Sequence, residues 1–393
     1  MRVLMAATST LPERVGGSER VIWEVARALT ARGHAARILV PTADRRAGVS
    51  EVDGIGIVRY RDPFLSFGTL YLPSLVLARA AARAAVARWG ADVVHAHQAL
   101  PGLAAPATAL AYTFYGPWHL EFLSEVTGRH NLSRGKAWTR ALWVPTKAAL
   151  VGRIERAALR RSRRVIALSR FSSQQLAEIH GVTGERVTLI PGGVDVGRFR
   201  PAADRRAVRA SLGLSGDGPL LFTVRRLVPR MGIDLLLRAL ATLPGARLVV
   251  GGQGWLRPEL EATATALGVE DRVRFVGLMS DADLVRHYQA ADLVVLPSVA
   301  LEGFGLITLE ALACGTPVVA TPAGGATDVL GGLEPGWLAR AATPDALAEA
   351  VAGALDTTAG RAEVAARCRM HATGYAWDGI AERYEAVYAA LRR

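Results

Sequence analysis

The sequence predicts an α/β protein made of two doubly wound domains. Its 393 residues exceed the length of about 250 to 300 residues at which a single hydrophobic core stops growing. Short Val-, Ile- and Leu-rich runs alternate with longer segments of helical period, the pattern of βα units on parallel sheets. This series occurs twice, and the stretch 191–201 between the halves is rich in Pro and Gly, as is typical of a hinge linker. We therefore expect domains at 1–190 and 202–375 that face each other across a central cleft.

The individual elements follow from the same pattern, because short apolar runs predict buried strands and amphipathic segments predict helices. The predicted strands of the first half are Arg2–Ala7, Ala36–Val40, Val93–Ala96, Ala111–Phe114, Arg164–Leu168 and Val187–Ile190. Its predicted helices are Ser18–Arg32, Leu75–Trp89, Lys147–Arg161 and Ser172–His180. The predicted strands of the second half are Leu220–Val224, Arg247–Gly251, Val273–Val276, Leu293–Pro297 and Val318–Ala320. Its predicted helices are Gly232–Ala241, Pro258–Leu267, Asp281–Ala290 and Ile307–Ala313.

The net charge of +12, from 47 basic and 35 acidic residues, favours anionic partners. Nucleic acid, an anionic membrane surface and a phosphorylated substrate all fit the charge alone. No nucleic-acid recognition motif accompanies it, so we expect no nucleic-acid partner. The densest basic cluster lies on a predicted helix. We interpret it as a solvated helix face, and a peripheral membrane contact is the second interpretation. Its members are Arg153, Arg156, Arg160, Arg161, Arg163 and Arg164.

Cysteine usage and the apolar runs bear on the compartment. Cys314 and Cys368 are far apart and lack metal-ligand spacing, so the sequence supports neither a disulfide framework nor a zinc site. The apolar run Val3–Ala7 is too short for a signal-peptide core. The charge-free stretch between Glu310 and Asp328 contains several Gly and two Pro, so it cannot form a membrane-spanning helix. We expect a cytoplasmic protein, either free or peripheral at the inner face of the membrane. The oligomeric state does not follow from the sequence.

The strongest motif lies in the segment 293–319. A predicted strand is followed by the loop Glu302-Gly303-Phe304-Gly305, and a predicted helix then carries Glu310. Glycines at the opening of a helix let backbone N–H groups and the positive end of the helix dipole face an anion or a polar sugar. The two carboxylates are eight positions apart and can therefore bind different parts of one ligand.

Two further segments follow strands and suit phosphate groups. Arg225, Arg226 and Arg230 follow the first predicted strand of the second half, where guanidinium groups can clamp a diphosphate and stabilise its developing charge. Gly16 and Gly17 precede the first predicted helix. They favour either a phosphate-binding loop or an ordinary turn, because Gly-Gly before a helix serves both.

These motifs resemble those of the retaining glycosyltransferase family 4, whose members have the two-domain GT-B fold of Rossmann-like domains. The run Glu302–Glu310 matches the E-x7-E signature of that family. The resemblance implies an acceptor-binding first domain and a second domain that binds a nucleotide-sugar donor. It also implies that a closing helix at about 376–393, which begins near Trp377-Asp378, crosses back onto the first domain.

The resemblance assigns roles to individual residues of the donor site. Glu302 would hydrogen-bond the transferred sugar, Glu310 would bind the ribose, and Arg226 would hold the diphosphate as a catalytic residue. The remaining donor contacts that it implies are backbone groups of Gly16, Gly17, Gly277, Leu278, Gly303, Phe304, Gly305 and Leu306.

At two positions the chain departs from the family pattern. Met231 stands where the family has a Lys, which leaves Arg230 as the neighbouring candidate for the missing charge, although a guanidinium is no simple replacement for an ammonium. Tyr115 stands where the family has a donor-contacting His. Either Tyr115 or His119, which we name as a candidate catalytic residue, would take that role, and His97 is a weaker acceptor-side candidate.

The pair Asp281-Ala-Asp283 superficially fits the metal-binding D-x-D motif of the other main glycosyltransferase fold. These acids follow Ser280 in the first turn of a predicted helix, where they favour the helix dipole. We therefore expect no metal and no cofactor besides the co-substrate, a nucleoside diphosphate sugar such as a UDP-sugar.

The resemblance thus implies a retaining, metal-independent hexosyltransferase that acts on a hydroxyl of a small-molecule, saccharide or lipid-linked acceptor. The loops predicted at Pro63–Leu75 and Leu120–Pro145 are the candidate acceptor-binding segments. Two alternatives stay open. One is a nucleotide-sugar 2-epimerase or hydrolase on the same fold, and the other is a non-catalytic basic module that binds nucleotides or docks on membranes.

Overall fold

A computed structural model describes residues 1–11, 16–43, 47–65, 71–107, 109–127, 137–357 and 361–393, and for residues 137–142 it describes the backbone alone. The chain divides into two compact units. The first unit comprises Met1–Leu123, Ser133–Gly192 and Trp377–Arg393. The second comprises Ser124–Leu132 and Gly193–Ala376. Each unit carries one mainly parallel sheet flanked by helices, which confirms the predicted α/β fold class.

The first unit is built on an eight-stranded sheet of order β3-β4-β2-β1-β5-β6-β7-β8, in which only the β3–β4 pair is antiparallel. Its strands are β1 Arg2–Ala6, β2 Ala35–Thr42, β3 Gly48–Val52, β4 Ile55–Arg61, β5 Val93–Ala96, β6 Leu110–Phe114, β7 Arg164–Ala167 and β8 Val187–Leu189. Its helices up to this point are α1 Gly17–Ala31, α2 Tyr71–Trp89, α3 Ala99–Ala104, α4 Trp118–Thr127, α5 Ala137–Arg161 and α6 Arg170–Gln175. A π-helical turn at Leu176–His180 continues α6.

The second unit contains a five-stranded parallel sheet of order β11-β10-β9-β12-β13. Its strands are β9 Leu220–Val224, β10 Arg247–Gly251, β11 Val273–Gly277, β12 Leu293–Leu296 and β13 Val318–Ala320. Its helices are α7 Arg205–Ser211, α8 Ile233–Ala241, α9 Arg257–Ala266, α10 Asp281–Ala290, α11 Leu306–Ala313, α12 Ala326–Leu330, α13 Pro344–Thr357 and α14 Arg361–Thr373. All strands predicted from the sequence are present to within two residues at either end.

The loop predicted at Leu120–Pro145 is wrong in its described part, because α4 and α5 occupy it. Pro145 lies inside α5, where a proline removes one backbone hydrogen bond. The helix continues through it because its inner side is buried at helical spacing, at Val144, Ala148, Val151, Glu155 and Ala158. The loop predicted at Pro63–Leu75 ends earlier than expected, since α2 begins at Tyr71, and part of it lies outside the described residues.

Helix α15, Trp377–Leu391, closes the first unit. Its inner side buries Tyr384 and Tyr388 completely, and the Tyr388 hydroxyl is hydrogen-bonded to Nδ1 of His95 at 2.8 Å. On its outer side, the Arg32 Nε donates to Glu385 at 2.7 Å. The helix is therefore a fixed part of the first unit's core.

The basic cluster, which runs from the last turns of α5 to the start of β7, serves the first unit itself. Arg156, Arg161 and Arg163 donate hydrogen bonds to the backbone carbonyls of Ile179, Ala105 and Leu391 respectively. These contacts favour a structural use of the charge. Within the described ranges, no helix combines the length and apolar character that a bilayer crossing requires.

Asp292 anchors the second unit at the start of β12. Its carboxylate pairs with Arg205, Arg209 and Arg361 and accepts a hydrogen bond from the Leu220 amide at 2.7 Å. Burial opposes the charged form, but the amide and the arginines outweigh it and hold the pKa of Asp292 far below its usual range.

Replacing Asp292 with Asn should lower the free energy of unfolding by about 3 kcal/mol at neutral pH, because three arginines lose their common partner. A carboxyl whose folded-state pKa is depressed stabilises the fold above its unfolded pKa of about 4 and loses that contribution as the pH falls further. The difference between the wild type and Asp292→Asn should therefore shrink below about pH 4. Urea unfolding at several pH values measures it, and a pH-independent difference would contradict the assignment.

Candidate functional site

The carboxyl ends of the parallel strands in the second unit meet at one edge of the sheet, where ligands of such sheets bind. We call this edge the carboxyl edge. Four loops build it: 225–232 after β9, 252–256 after β10, 297–305 after β12 and 321–325 after β13. The neighbours of β9 in the sheet are β10 and β12. The arginine-bearing loop 225–232 therefore lies between the loops 252–256 and 297–305.

The backbone of Glu302 is held by the loop after β13. The Gly325 amide donates to the Glu302 carbonyl at 2.9 Å, and the Glu302 amide approaches the Ala323 carbonyl at 3.4 Å. A Cβ atom added to Gly324 would lie 2.3 Å from the Cβ and 2.4 Å from the carbonyl oxygen of Glu302. Only glycine therefore permits this contact.

The Glu302 carboxylate lies in an ion pair with Arg225. The same Arg225 Nη2 donates to Ser298 Oγ at 2.8 Å and lies 2.9 Å from the sulfur of Met231, and Ser298 donates to Glu302 at 3.2 Å. Only 15% of the Glu302 side chain and 5% of the Arg225 side chain are exposed. Burial would raise the pKa of Glu302, but the charge of Arg225 and its hydrogen bond outweigh it, so the pKa is lowered.

Sequence reasoning selected Arg226 and Arg230 and gave no separate role to Arg225. The structure turns Arg225 inward, whereas 52% of the Arg226 side chain is exposed. Arg230 is buried, and its Nη1 donates to the Leu301 carbonyl at 3.1 Å. Leu301 has a positive φ of 57°, so Arg230 supports a strained residue directly before Glu302.

Close backbone contacts fix the neighbouring loops. A Cβ at Gly232, whose φ is 65°, would lie 1.9 Å from the Pro297 carbonyl oxygen. The glycines of the segment Gly251-Gly-Gln-Gly254 make contacts of the same kind. A Cβ at Gly252 would lie 1.9 Å from the Arg225 carbonyl oxygen, and a Cβ at Gly254 would lie 2.1 Å from the Leu227 carbonyl oxygen. These glycines let the loops after β9, β10 and β12 pack directly against one another.

Helix α11 begins at Leu306, directly after Gly305, whose φ of 79° is left-handed. The positive end of its dipole therefore lies beside the Gly303–Phe304 loop. Phe304 is buried. Glu310, one turn further along, is also buried, and its carboxylate accepts a hydrogen bond from the Tyr288 hydroxyl at 2.8 Å. The structure thus places Glu302 and Glu310 in separate environments, as their spacing predicts.

Two of the predicted donor contacts lie at the end of β11, since Gly277 is its last residue and Leu278 directly follows it. Gly277 has a φ of 73°, and its carbonyl accepts a hydrogen bond from the Gly252 amide at 2.7 Å. The next residue, Leu278, exposes 70% of its surface. An apolar side chain in water beside the carboxyl edge suits contact with the face of a planar ring.

The acids Asp281 and Asp283 lie in the first turn of α10. Ser280 Oγ caps the helix by accepting from the Asp283 amide at 3.1 Å, and the Asp281 carboxylate pairs with Arg198 at 2.9 Å. These contacts are those of a capped helix start.

In the first unit, Gly16 directly precedes α1 and Gly17 is its first residue. The buried Glu19 carboxylate lies beside them, where it accepts hydrogen bonds from Ser9 Oγ at 2.5 Å and Ser18 Oγ at 2.9 Å. A Cβ at Gly16 would lie 2.4 Å from this carboxylate, whereas Gly17 has open space around it.

His95 lies in β5 and His97 directly follows the strand. Both are completely buried, and their ring centroids are 4.0 Å apart. Nδ1 of His97 is hydrogen-bonded to the Tyr115 hydroxyl at 2.8 Å. Burial lowers the pKa of His97, with a smaller effect from His95, and burial raises that of Tyr115. Both groups are therefore neutral at neutral pH.

His119 lies apart from this pair, near Glu155 and His180. Its Nδ1 is 3.8 Å from the Glu155 carboxylate, which also lies 3.2 Å from Nε2 of His180. Among the described residues, these three form the group of metal-ligating side chains with ligand atoms within 4.8 Å of one another. The sequence spacing does not predict this group, because its members come from three separate elements.

Comparisons with known proteins agree with the family resemblance. A model of Glycosyltransferase Family 4 matches residues 15–198, and one of Glycosyl transferases group 1 matches 204–373. A D-inositol 3-phosphate glycosyltransferase of Geodermatophilus obscurus is 32% identical over 407 aligned positions, which cover 95% of this chain and 85% of the relative. The enzyme of the same name from Mycobacterium avium is 39% identical over 236 residues, or 58% of this chain, and the match spans only about half (54%) of its length.

Solved structures share the fold. Sucrose-phosphate synthase from Thermosynechococcus elongatus superimposes with a TM-score of 0.79 at 24% identity, covering 99% of this chain and 98% of the other. Anabaena HepE, in a complex with UDP and glucose, gives a TM-score of 0.72 at 22% identity over 98% of this chain and 99% of the other.

Replacing Gly324 with Ala should lower the free energy of unfolding by about 1 to 3 kcal/mol, the usual range for forcing an extra carbon into a packed site. Thermal and urea unfolding measure the change. Gly353 in α13 is the control, since a Cβ there would meet nothing within 4 Å and Gly→Ala in a helix is neutral or stabilising. Equal stability of Gly324→Ala and the wild type would show that the Glu302 backbone does not need this contact.

Proposed function

Because the chain belongs to glycosyltransferase family 4, we propose that it transfers a hexosyl-type group from a nucleoside diphosphate sugar to an acceptor hydroxyl, with retention at the anomeric carbon and without a divalent metal. The observation that carries this proposal is the Glu302 carboxylate, which is fixed by Arg225 and Ser298 beside the N-terminus of α11. An ionised carboxylate held in this way accepts hydrogen bonds from sugar hydroxyls, and a helix N-terminus attracts phosphate.

The donor would lie along the carboxyl edge. Glu302 would bind the sugar hydroxyls, and the amides of the Gly303–Leu306 segment would meet sugar and phosphate. Arg226 is half-exposed and pairs with the Glu125 carboxylate at 2.7 Å, and the diphosphate would take the place of that carboxylate. Gly277 and Leu278 would meet the base. Glu310 remains the proposed ribose ligand.

Arg225 acts as a positioning residue in this proposal. Its Nη2 lies against the Met231 sulfur, at the position where the family has a Lys. It therefore brings a cation to the region where the sequence lacks one. The neighbouring Arg230 donates to the loop backbone, so Arg225 replaces it as our candidate for that charge.

Retention requires that the acceptor attack the face from which the diphosphate leaves, or that two inversions follow each other. Glu302 is engaged with a cation, and its pKa is lowered because Arg225 outweighs the effect of burial, which suits a hydrogen-bond acceptor better than a covalent nucleophile. We therefore propose that the leaving phosphate itself takes the acceptor's proton, while Arg226 and the α11 N-terminus stabilise the departing charge.

In the first unit, the contacts favour Tyr115 over His119 for the role of the donor-contacting histidine of the family. The Tyr115 phenol stays protonated because burial raises its pKa, and its hydroxyl is oriented by His97. His119 instead faces Glu155. Gly16 and Gly17 remain proposed donor contacts.

The substrates to test first follow from the names of the relatives. The structural neighbours include complexes with UDP-glucose and with ADP, so UDP- and ADP-sugars head the donor screen. The curated relatives are named for D-inositol 3-phosphate, and a phosphorylated polyol fits the net charge of +12. We propose such an acceptor as the first candidate, ahead of saccharides and lipid-linked sugars.

Replacing Glu302 or Arg225 with Ala should lower turnover by about 100-fold, since misplacing a substrate contact by 1 Å costs roughly that much. Turnover is measured as nucleoside diphosphate release with donor and acceptor, and donor-alone reactions report hydrolysis or epimerisation. Arg340→Ala is the matched control, because it removes an exposed ion pair with Glu349 in the same unit and should leave turnover unchanged.

Two results would overturn the assignment. Near-normal transfer by folded Glu302→Ala would remove Glu302 from the site. Product formation at full rate from donor alone would make the protein an epimerase or hydrolase.

Removing divalent ions should leave transfer unchanged, because arginines, and not a metal, neutralise the diphosphate in this proposal. The protein is treated with EDTA, desalted and assayed with and without Mg²⁺ or Mn²⁺, and thermal stability is recorded in parallel. A rate that is lost on treatment and restored only by Mg²⁺ or Mn²⁺, with the protein still folded, would contradict metal independence.

A further inference from the structure

Three elements of the first unit bring two histidines and a carboxylate together. His119 lies in the first turn of α4, Glu155 lies in α5, and His180 ends the π-helical turn after α6. We call these residues the His-Glu-His cluster. π-Helical turns are rare and occur often at functional sites, and here the turn places His180 over Glu155.

The cluster is withdrawn from water. The exposed fraction of the side chain is 1% for His180, 2% for Glu155 and 21% for His119. Nε2 of His180 and Nδ1 of His119 face the Glu155 carboxylate, but neither of them, nor the buried Nδ1 of His180, makes a hydrogen bond of regular geometry among the described residues. Buried imidazole nitrogens normally make such a bond, and the two that face the carboxylate are placed as ligands of a shared cation would be.

The distances suit a small divalent ion. Nε2 of His180 and Nδ1 of His119 lie 3.2 Å and 3.8 Å from one carboxylate oxygen of Glu155, and all ligand atoms lie within 4.8 Å. Tetrahedral bonds of about 2.0 to 2.2 Å place ligand atoms about 3.3 to 3.6 Å apart. The two printed separations bracket this range, and the remaining one, between the two imidazole nitrogens, is at most 4.8 Å, so the three side chains would draw together around a bound ion.

The surroundings resemble the outer shell of a metal site. The Trp118 amide donates to both carboxylate oxygens of Glu155, at 3.2 Å each, which orients the carboxylate as outer-shell donors do.

We propose that the His-Glu-His cluster binds Zn²⁺ through two imidazole nitrogens and one carboxylate. Three protein ligands leave one coordination position for water. The ion would join the start of α4 to α5 and to the π-helical turn. The site is separate from the metal-free donor chemistry proposed above and does not depend on it.

The competing interpretation is a buried ion pair, in which a protonated His180 neutralises Glu155 without any metal. The two interpretations differ in stoichiometry and in metal dependence. An ion pair gives no zinc binding and a melting temperature that chelators and zinc leave unchanged.

The test uses the full chain, stripped with a chelator and titrated with Zn²⁺ by calorimetry, with bound metal counted by mass spectrometry. We expect one Zn²⁺ per chain and a rise in melting temperature that EDTA reverses. Co²⁺ in place of Zn²⁺ should give the intense visible absorption of a tetrahedral site.

Three variants locate the site. His119→Ala, His180→Ala and Glu155→Gln should each weaken Zn²⁺ binding by at least about 100-fold, because even outer-shell changes cost 10- to 100-fold. Glu155→Gln retains an acceptor for the Trp118 amide, and His119→Ala changes the most exposed member, so at least one variant should fold. His371→Ala is the control, since His371 is hydrogen-bonded to the Val329 carbonyl in the second unit, and it should bind Zn²⁺ as the wild type does.

Absence of stoichiometric Zn²⁺ binding in the wild type, or equal binding in folded His119→Ala, would overturn the proposal. Transfer activity is not a readout here. A failure of this test therefore leaves the assignment of Glu302 untouched, and a failure of the transfer assay leaves the metal site untouched.

Discussion

A carboxylate that is largely withdrawn from water requires a cation or hydrogen-bond donors beside it, and Glu302 obtains both from Arg225 and Ser298. The rest of the carboxyl edge serves this arrangement. Gly324 lets the loop after β13 hold the Glu302 backbone, and Arg230 supports Leu301 directly before it. One ion pair thus links the loops after β9 and β12, and backbone hydrogen bonds of Glu302 join them to the loop after β13.

Sequence reasoning located six of the eight strands of the first sheet, all five strands of the second sheet and the loop at Glu302, because buried parallel strands are continuous apolar runs and their carboxyl ends carry the ligands. Gly303, Gly305 and the two acids form a local pattern that is visible without any tertiary information. The β3–β4 hairpin was missed, although Asp53-Gly54 at its turn, both with positive φ, is a typical hairpin signal.

The remaining features depend on contacts between distant segments. Nothing local distinguishes Arg225 from Arg226, since the inward direction of Arg225 is set by Ser298 and Glu302 more than 70 residues away. The partnership of His97 with Tyr115 and that of Glu155 with His180 likewise join separate elements. Helix α5 passes through Pro145 because burial of its inner side outweighs the lost hydrogen bond, which a local rule cannot weigh.

The loops of the carboxyl edge are fixed mainly by backbone atoms that touch one another at Gly232, Gly252, Gly254 and Gly324. Such contacts leave few alternative conformations, so the loops lose little conformational entropy when a ligand arrives. Selectivity for one ligand over another can therefore change through side chains at the rim, such as the exposed Leu278, while the glycine framework stays constant. The same rigid edge is in this way suited to divergence in substrate without divergence in shape.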